Sequence, residues 1–375
     1  MNRQTHVFLD ELPWDMRSRN TDWRYVRFAM PQLMQYEPSL RLTVQRSPWV
    51  TVRGNLETML AAAGRRIGFS VSEQRLLTSH LDAAELRRSG AGLVFAHRAF
   101  PLNAGAVPVV WQQAVLDPEM QRSYGVSAAA LQQEIELKRP LFQRSAAVQL
   151  STEAEVRRHV LMFPESAAKF VGIPFFTPYI QACSQTALER HWSANPVRIL
   201  FVGNHALRKG LDQLLDAFLG LPADVQKRAI LTVVSNFDRS SLHLPQHERV
   251  VFVRGFNHAQ VMAEMSRSHI YVNVARFESY GLVFHEAMSQ GLACLGPAWE
   301  VQRELFDDGK AGVNLPCDVA AIRIALEDLI VDSAKRYSLG TAAWQRYMSR
   351  YTPAVVAGQF AALFHSVENS HRAVF

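Results

Sequence analysis

Cysteine is scarce: Cys183, Cys294 and Cys317 are the only three in 375 residues, with no CxxC pair and no Cys/His ligand spacing. An odd, scattered set excludes a disulfide framework and a structural zinc site and leaves reduced thiols in the core or at the surface. No apolar run approaches the roughly 18 residues of a membrane span, and residues 1–10 hold no apolar signal segment. Neither a bilayer crossing nor a classical secretory leader is therefore expected, and the expected location is cytoplasmic. Blocks of five or six like charges are missing as well. No G-x-G-x-x-G follows a strand, which argues against a dinucleotide-dependent oxidoreductase. Glycine itself does not occur before Gly54, so a tight glycine turn behind a first strand is excluded.

What is present is an ordinary globular composition, 48% hydrophobic and 20% charged. The length exceeds one typical core and implies two domains. Formal net charge is +6, unevenly spread: residues 1–190 hold 22 Lys+Arg against 17 Asp+Glu, and residues 191–375 hold 18 against 17. Arg17, Arg19, Arg24 and Arg27 belong to that N-terminal excess. Two readings of it stand: attraction to anionic phosphates, with a membrane surface or lipid-linked acceptor as the partner, or a modest basic balance without a partner. No nucleic-acid partner is expected.

Short apolar runs at 5–9, 40–44, 67–70, 76–78, 93–97 and 107–112 alternate with polar or helical segments, as in a parallel α/β sheet. An amphipathic helix is predicted over 126–144, a buried strand over 146–150, and Thr152 to Glu155 has capping-box spacing for a following helix. A further strand is read at 170–176, a connection at 178–194, and a second domain from Pro196 onward. There, V-R-I-L-F-V-G-N-H-A-L-R-K-G-L-D-Q-L-L-D-A-F reads as strand, polar loop and helix. Strands at 230–234 and 250–253, and helices at 259–266, 319–331 and 353–367, complete the pattern. His97 and Gln112-Gln113 end strands at the carboxyl edge of the first sheet, where open α/β folds bind ligands.

The most informative stretch is 270–297, I-Y-V-N-V-A-R-F-E-S-Y-G-L-V-F-H-E-A-M-S-Q-G-L-A-C-L-G-P, read as strand, turn, helix, strand. Its loop opens at a helix N-terminus, where backbone N–H groups and the helix dipole favour an anion such as phosphate. Glu278 stands before the helix and Glu286 about two turns along it. Ionised carboxylates at both places suit sugar hydroxyls, because they accept hydrogen bonds and donate none. Either glutamate alone reads equally as an ordinary solvated residue.

The run E-S-Y-G-L-V-F-H-E-A-M-S-Q-G-L-A resembles the E-x7-E signature of retaining nucleotide-sugar glycosyltransferases of the GT-B fold, family 4, with similarity from Pro196 to about Tyr351. The resemblance implies two Rossmann-like domains facing across a cleft: 1–178 for the acceptor, 195–352 for the donor, and 353–375 crossing back onto the first. It implies Glu278 at the donor sugar, Glu286 at the ribose, and the amides near Ser279, Tyr280, Gly281 and Leu282 at the phosphates. Gly203, Asn204 and Gly255 would line the nucleotide site, Gly255 as a turn glycine where backbone comes close to the base. Lys209 would meet the diphosphate, with neighbouring Arg208 supplying the charge that the family carries where this chain has Asn204. His97 is a candidate at the donor sugar or transition state; at a nearby position where the family often has histidine, this chain has Gln113. Val274-Ala275 replaces the usual Pro-Ser.

The implied reaction moves a hexose-type unit from a nucleotide diphosphate sugar to a hydroxyl, on a sugar, a lipid-linked sugar or another acceptor, with retention. Polysaccharide or glycoconjugate assembly is the implied setting, and the inner face of the membrane the implied peripheral location. No cofactor and no metal are expected, since Lys209, Arg208 and the helix N-terminus would stabilise the leaving phosphate and no Asp-x-Asp motif stands in the donor half. A non-catalytic nucleotide-sugar-binding subunit and a GT-B-fold epimerase or phosphorylase remain the alternatives.

Overall fold

Strands of this chain are short and alternate their side chains between two apolar layers, which dictates a sheet covered on both faces. The computed structural model describes residues 4–10, 28–45, 77–97, 99–113, 116–123, 125–190, 195–237 and 247–373. The strand expected at 67–70 and the arginines Arg17, Arg19, Arg24 and Arg27 lie outside these residues. The described residues divide into two units, one within Met1–Pro118, Val126–Tyr179 and Pro353–Phe375, the other within Glu119–Gly125 and Ile180–Thr352. Both are Rossmann-like.

In the first unit the strands are β1 (Thr5–Asp10), β2 (Leu40–Val44), β3 (Thr78–Ser79), β4 (Leu93–His97), β5 (Phe100–Pro101), β6 (Val109–Gln112), β7 (Ala147–Leu150) and β8 (Phe170–Gly172). Six of them form a parallel sheet in the order β2-β1-β4-β6-β7-β8, and β3 pairs with β5 alongside. Val7 and Leu9, Leu93 and Phe95 face one apolar layer, while Phe8, Val94 and Ala96 face the other. The last helix, Pro353–Arg372, covers the first layer with Val356, Phe360 and Phe364, an i, i+4, i+8 stripe. Phe95 meets Phe360 and Phe364 edge-on at 5.8 Å each. Glu368 of that helix also accepts from the Thr5 hydroxyl at 2.5 Å.

The helix Ala128–Arg144 starts two residues later than read, with Ser127 as its cap. Thr152 caps Glu153–Met162 by accepting from the Glu155 N–H at 3.1 Å. The strand read over 170–176 stops at Gly172, ahead of the Ile173-Pro174 break, because proline has no N–H to add to the ladder.

The second unit carries β9 (Val197–Val202), β10 (Ala229–Val234), β11 (Val250–Val253), β12 (Ile270–Val272), β13 (Ala293–Pro297) and β14 (Val313–Leu315). They form a parallel sheet ordered β11-β10-β9-β12-β13-β14, so the winding reverses between β9 and β12. Ile199, Phe201, Ile270 and Val272 face one layer; Leu200, Tyr271 and Cys294 face the other.

Two expected boundaries move. Residues Glu119–Gly125, read with the first domain, group with the second unit. The segment 180–194, read as a connection, is bound into the second unit through described residues 180–190. Ile180 is buried in its core, the Cys183 N–H donates to Ser289 O at 2.9 Å, and Gln290 donates to Gln181 O at 2.7 Å. A helix, Gln185–Arg190, forms within it. Among the described residues no helix is long and apolar enough to cross a membrane.

Candidate donor site

The reversal between β9 and β12 leaves a crevice beyond their carboxyl ends, the place where open parallel sheets receive ligands. The loop after β9 brings Gly203, Asn204, Arg208 and Lys209; the loop after β12 brings Glu278 to Gly281. Gly210 makes their close approach possible. Its φ is +74°, and a Cβ there would stand 2.5 Å from the Val274 carbonyl oxygen, so only glycine fits without displacing backbone. The Arg276 N–H then donates to Arg208 O at 2.9 Å, and the Arg276 guanidinium takes both oxygens of Asp212 at 2.9 and 2.7 Å. Arg208 Nη1 donates to the Phe277 carbonyl at 2.6 Å.

So joined, the two loops set Lys209 against Glu278. The ammonium donates directly to Glu278 Oε2, with both side chains buried. Two opposite charges held out of water keep their geometry only when each remains compensated, because removing one strands the other. Arg208, expected as a further phosphate cation, has one guanidinium nitrogen engaged as a brace under the Glu278 loop. At Val274 and Ala275, which stand in place of Pro-Ser, the backbone carbonyls are engaged: the Trp299 indole N–H donates to Ala275 O at 3.3 Å, and the Cys317 thiol to Val274 O at 3.5 Å.

After the turn at Ser279 and Tyr280, Gly281 caps the helix Leu282–Ser289 with no side-chain hydrogen bond to its first turn. Gln302, fully buried, donates to the carbonyls of Tyr280 at 3.2 Å and Glu278 at 3.4 Å, fixing the turn from below. The Tyr280 ring stacks on His285 at 4.7 Å. Burial holds the His285 imidazole neutral, pushed down to about 3, and neither ring nitrogen has a hydrogen-bond partner.

Glu286 projects from the same helix, buried, and its Oε1 meets His258 Nε2 at 3.0 Å. His258 opens the helix His258–Met265, whose capping box joins Asn257 and Gln260. Gly203, Asn204 and Gly255 meet through residues that the sequence reading passed over. Ser235 Oγ donates to Gly203 O at 2.5 Å, Asn204 Oδ1 accepts from the Asn236 N–H at 3.0 Å, and Asn236 Oδ1 accepts from the Gly255 N–H at 2.9 Å. Gly255 has φ +75° with open space around its missing Cβ. Its glycine serves the turn, and no neighbouring group in this unit crowds it.

His97 lies in the first unit at the end of β4, buried, with Nδ1 2.5 Å from Gln112 Oε1. Gln113, also buried, continues the same strand edge, its N–H donating to Gln149 O at 3.0 Å. Gln302, Asn236 and His258 were not singled out from sequence. Asn236 stands two residues beyond the end of a strand, and His258 follows an N-cap asparagine with Gln260 in capping-box register; those were the available signals.

A parallel 3-2-1-4-5-6 sheet, in a chain with a second Rossmann-like unit, is the arrangement of the GT-B fold. Residues 189–346 match the model of the family described as glycosyl transferases group 1. Among curated proteins, a phosphatidyl-myo-inositol mannosyltransferase of Mycobacterium leprae (strain TN) is 31% identical over 184 residues, 46% of this chain and 47% of that protein. The match thus spans about half the length of that relative. Among solved structures, a sucrose-phosphate synthase from Thermosynechococcus elongatus superposes with a TM-score of 0.70 at 16% identity, covering 98% of this chain and 100% of the other. HepE of Anabaena in complex with UDP gives 0.65 at 16% identity, covering 97% and 100%. At that identity the likeness is one of fold.

Proposed function

We propose that the protein is a retaining, metal-independent glycosyltransferase of family 4 type that moves a hexosyl unit from a nucleotide diphosphate sugar to a hydroxyl acceptor. The observation that carries this reading is the direct Lys209–Glu278 pair at the switch point, beside a helix N-terminus whose cap residue, Gly281, has no side chain to occupy it. As the glycosidic bond to the donor phosphate breaks, negative charge grows on the leaving diphosphate. Lys209 and the first amides of Leu282–Ser289 stand where they stabilise that charge, and stabilisation that grows toward the transition state is what accelerates the step. Glu278 holds Lys209 in place and offers an acceptor to the sugar hydroxyls. Glu286 would receive the ribose, and the Gly203–Asn204–Asn236–Gly255 turns would border the nucleotide.

The leaving phosphate, close to the incoming hydroxyl on the same face, would take its proton, so no protein base is assigned. HepE is solved with UDP, and the mycobacterial relative is named for a phosphatidylinositol acceptor. The first supports a nucleotide diphosphate sugar as donor here; the second supports a lipid-linked acceptor, which would be met at an anionic membrane surface. Polysaccharide or glycoconjugate assembly on the cytoplasmic side fits that chemistry.

Calorimetric titration with UDP and with GDP tests the donor assignment. At least one should bind, and Glu286→Ala should weaken it by about 1 to 3 kcal/mol, the cost of leaving ribose hydroxyls without an acceptor. Unchanged affinity in that variant would remove Glu286 from the site.

A further inference from the structure

The His258 ring is hydrogen-bonded to Glu286 Oε1, at 3.0 Å, and stands half-exposed at the start of its helix, while Glu286 is buried. A carboxylate at the entrance to a pocket for an anionic nucleotide creates a conflict. It accepts from ribose hydroxyls, but its charge repels the diphosphate. A proton on His258 cancels that charge where it stands.

Resting on the donor-site reading above, we propose that His258 is a positioning residue for Glu286 and couples nucleotide affinity to pH. The imidazolium fixes Oε1 and neutralises it, leaving Oε2 to accept from the ligand. The hydrogen bond that His258 donates to Glu286, joined by the carboxylate's charge, raises the His258 pKa above the usual histidine value against the opposing effect of partial burial. A raised histidine is charged below its folded pKa and loses the proton, and with it the neutralisation, as pH rises through that value.

Other ionisable groups among the described residues stand on the elements packed against its helix. His258–Met265 packs against Leu282–Ser289 and β9. From the former comes His285, buried and neutral; from β9 comes Arg198. On the helix itself Glu264 is paired with Arg267, and Arg254 in the preceding loop reaches toward Asn236 O at 3.5 Å. Tyr271 of the adjoining β12 stays neutral, its pKa driven well up by burial. Among these groups Glu286 is the one hydrogen-bonded to the His258 ring, and that bond is the largest cause of its raised pKa.

Calorimetry with UDP and GDP from pH 5.5 to 8.5, on wild type and on His258→Gln, reads the coupling, with NMR titration of the histidine ring carbons in wild type and Glu286→Gln. Glutamine keeps an N–H donor without a titratable charge, so it separates charge from hydrogen bonding; ionisation of the ligand's own phosphate is common to both proteins. The expected result is an affinity in wild type that falls about three- to tenfold across the imidazole titration, up to one pKa unit of ligand-linked shift, and that loses this component in His258→Gln. The His258 resonance should titrate at lower pH in Glu286→Gln. Parallel pH curves in both proteins, or a His258 titration indifferent to Glu286→Gln, would overturn this coupling alone. Failure of wild type to bind either diphosphate at any pH would overturn the donor-site reading and the coupling with it.

Discussion

Lys209 and Glu278 show why a buried charge is legible only in part from sequence. The Lys-Gly dipeptide in a strand–loop–helix unit singled out Lys209, and the E-x7-E spacing singled out Glu278, yet nothing linear joins positions 69 apart. The link is made by Gly210, whose positive φ and missing Cβ let Val274 come close. Removing the lysine should act twice. Lys209→Ala strands a buried carboxylate, lowering stability by about 3 to 5 kcal/mol, and removes a cation from the leaving phosphate, lowering kcat by about 10²- to 10³-fold, the loss typical of one preorganised donor. Urea unfolding and steady-state kinetics measure the two separately. A Lys209→Met, Glu278→Gln double variant, which leaves no stranded carboxylate, should recover most of the lost stability but not turnover.

Among elements, the helix Glu153–Met162 of the first unit carries two buried ionisable groups one turn apart. Burial raises Glu155 to about 7, although Ser151 gives its carboxylate hydrogen bonds from N–H at 2.8 Å and from Oγ at 2.5 Å. Burial lowers His159 to about 3, packed among Phe142, Phe163 and Phe170. Their linkage to stability has opposite signs. Between pH 4.5 and 6.5 the unfolded chain binds the His159 proton that the native state refuses, so stability rises with pH. Over the same window the native state keeps the Glu155 proton that the unfolded chain releases, so stability falls by the same slope and the two cancel. Glu155→Gln should uncover the histidine slope, about 1.4 kcal/mol per pH unit between those values relative to wild type. Hydrogen-exchange protection of the β7 amides, which reports on the first unit, would show it; identical pH profiles would mean that Glu155 is ionised in the native state.

At the scale of the whole molecule, the parallel α/β architecture was legible because each strand is a short apolar run and each helix has its own period and caps. The cap at Thr152 and the helix at 353–367 were both legible in the sequence. What escaped was whatever depends on pairing between distant elements. Gln302 beneath the Glu278 turn, Asn236 between Asn204 and Gly255, and the docking of 180–190 onto the second unit are examples. The same holds for Arg208, read as a phosphate ligand by its place in the loop and found bracing the Phe277 carbonyl.

The central claim is that the Lys209–Glu278 pair carries sugar transfer from a nucleotide diphosphate donor without a metal. Release of nucleoside diphosphate from a panel of nucleotide sugars, measured for wild type, Glu278→Gln and Lys209→Met with and without EDTA, tests it most directly. The account predicts release by wild type from at least one donor, undiminished by EDTA, and release at least about 10²-fold slower in both variants. Turnover abolished by EDTA and restored by Mg²⁺, variants as fast as wild type, or a wild type that binds the donors but releases nothing from any of them, as a non-catalytic binding subunit would, would contradict it.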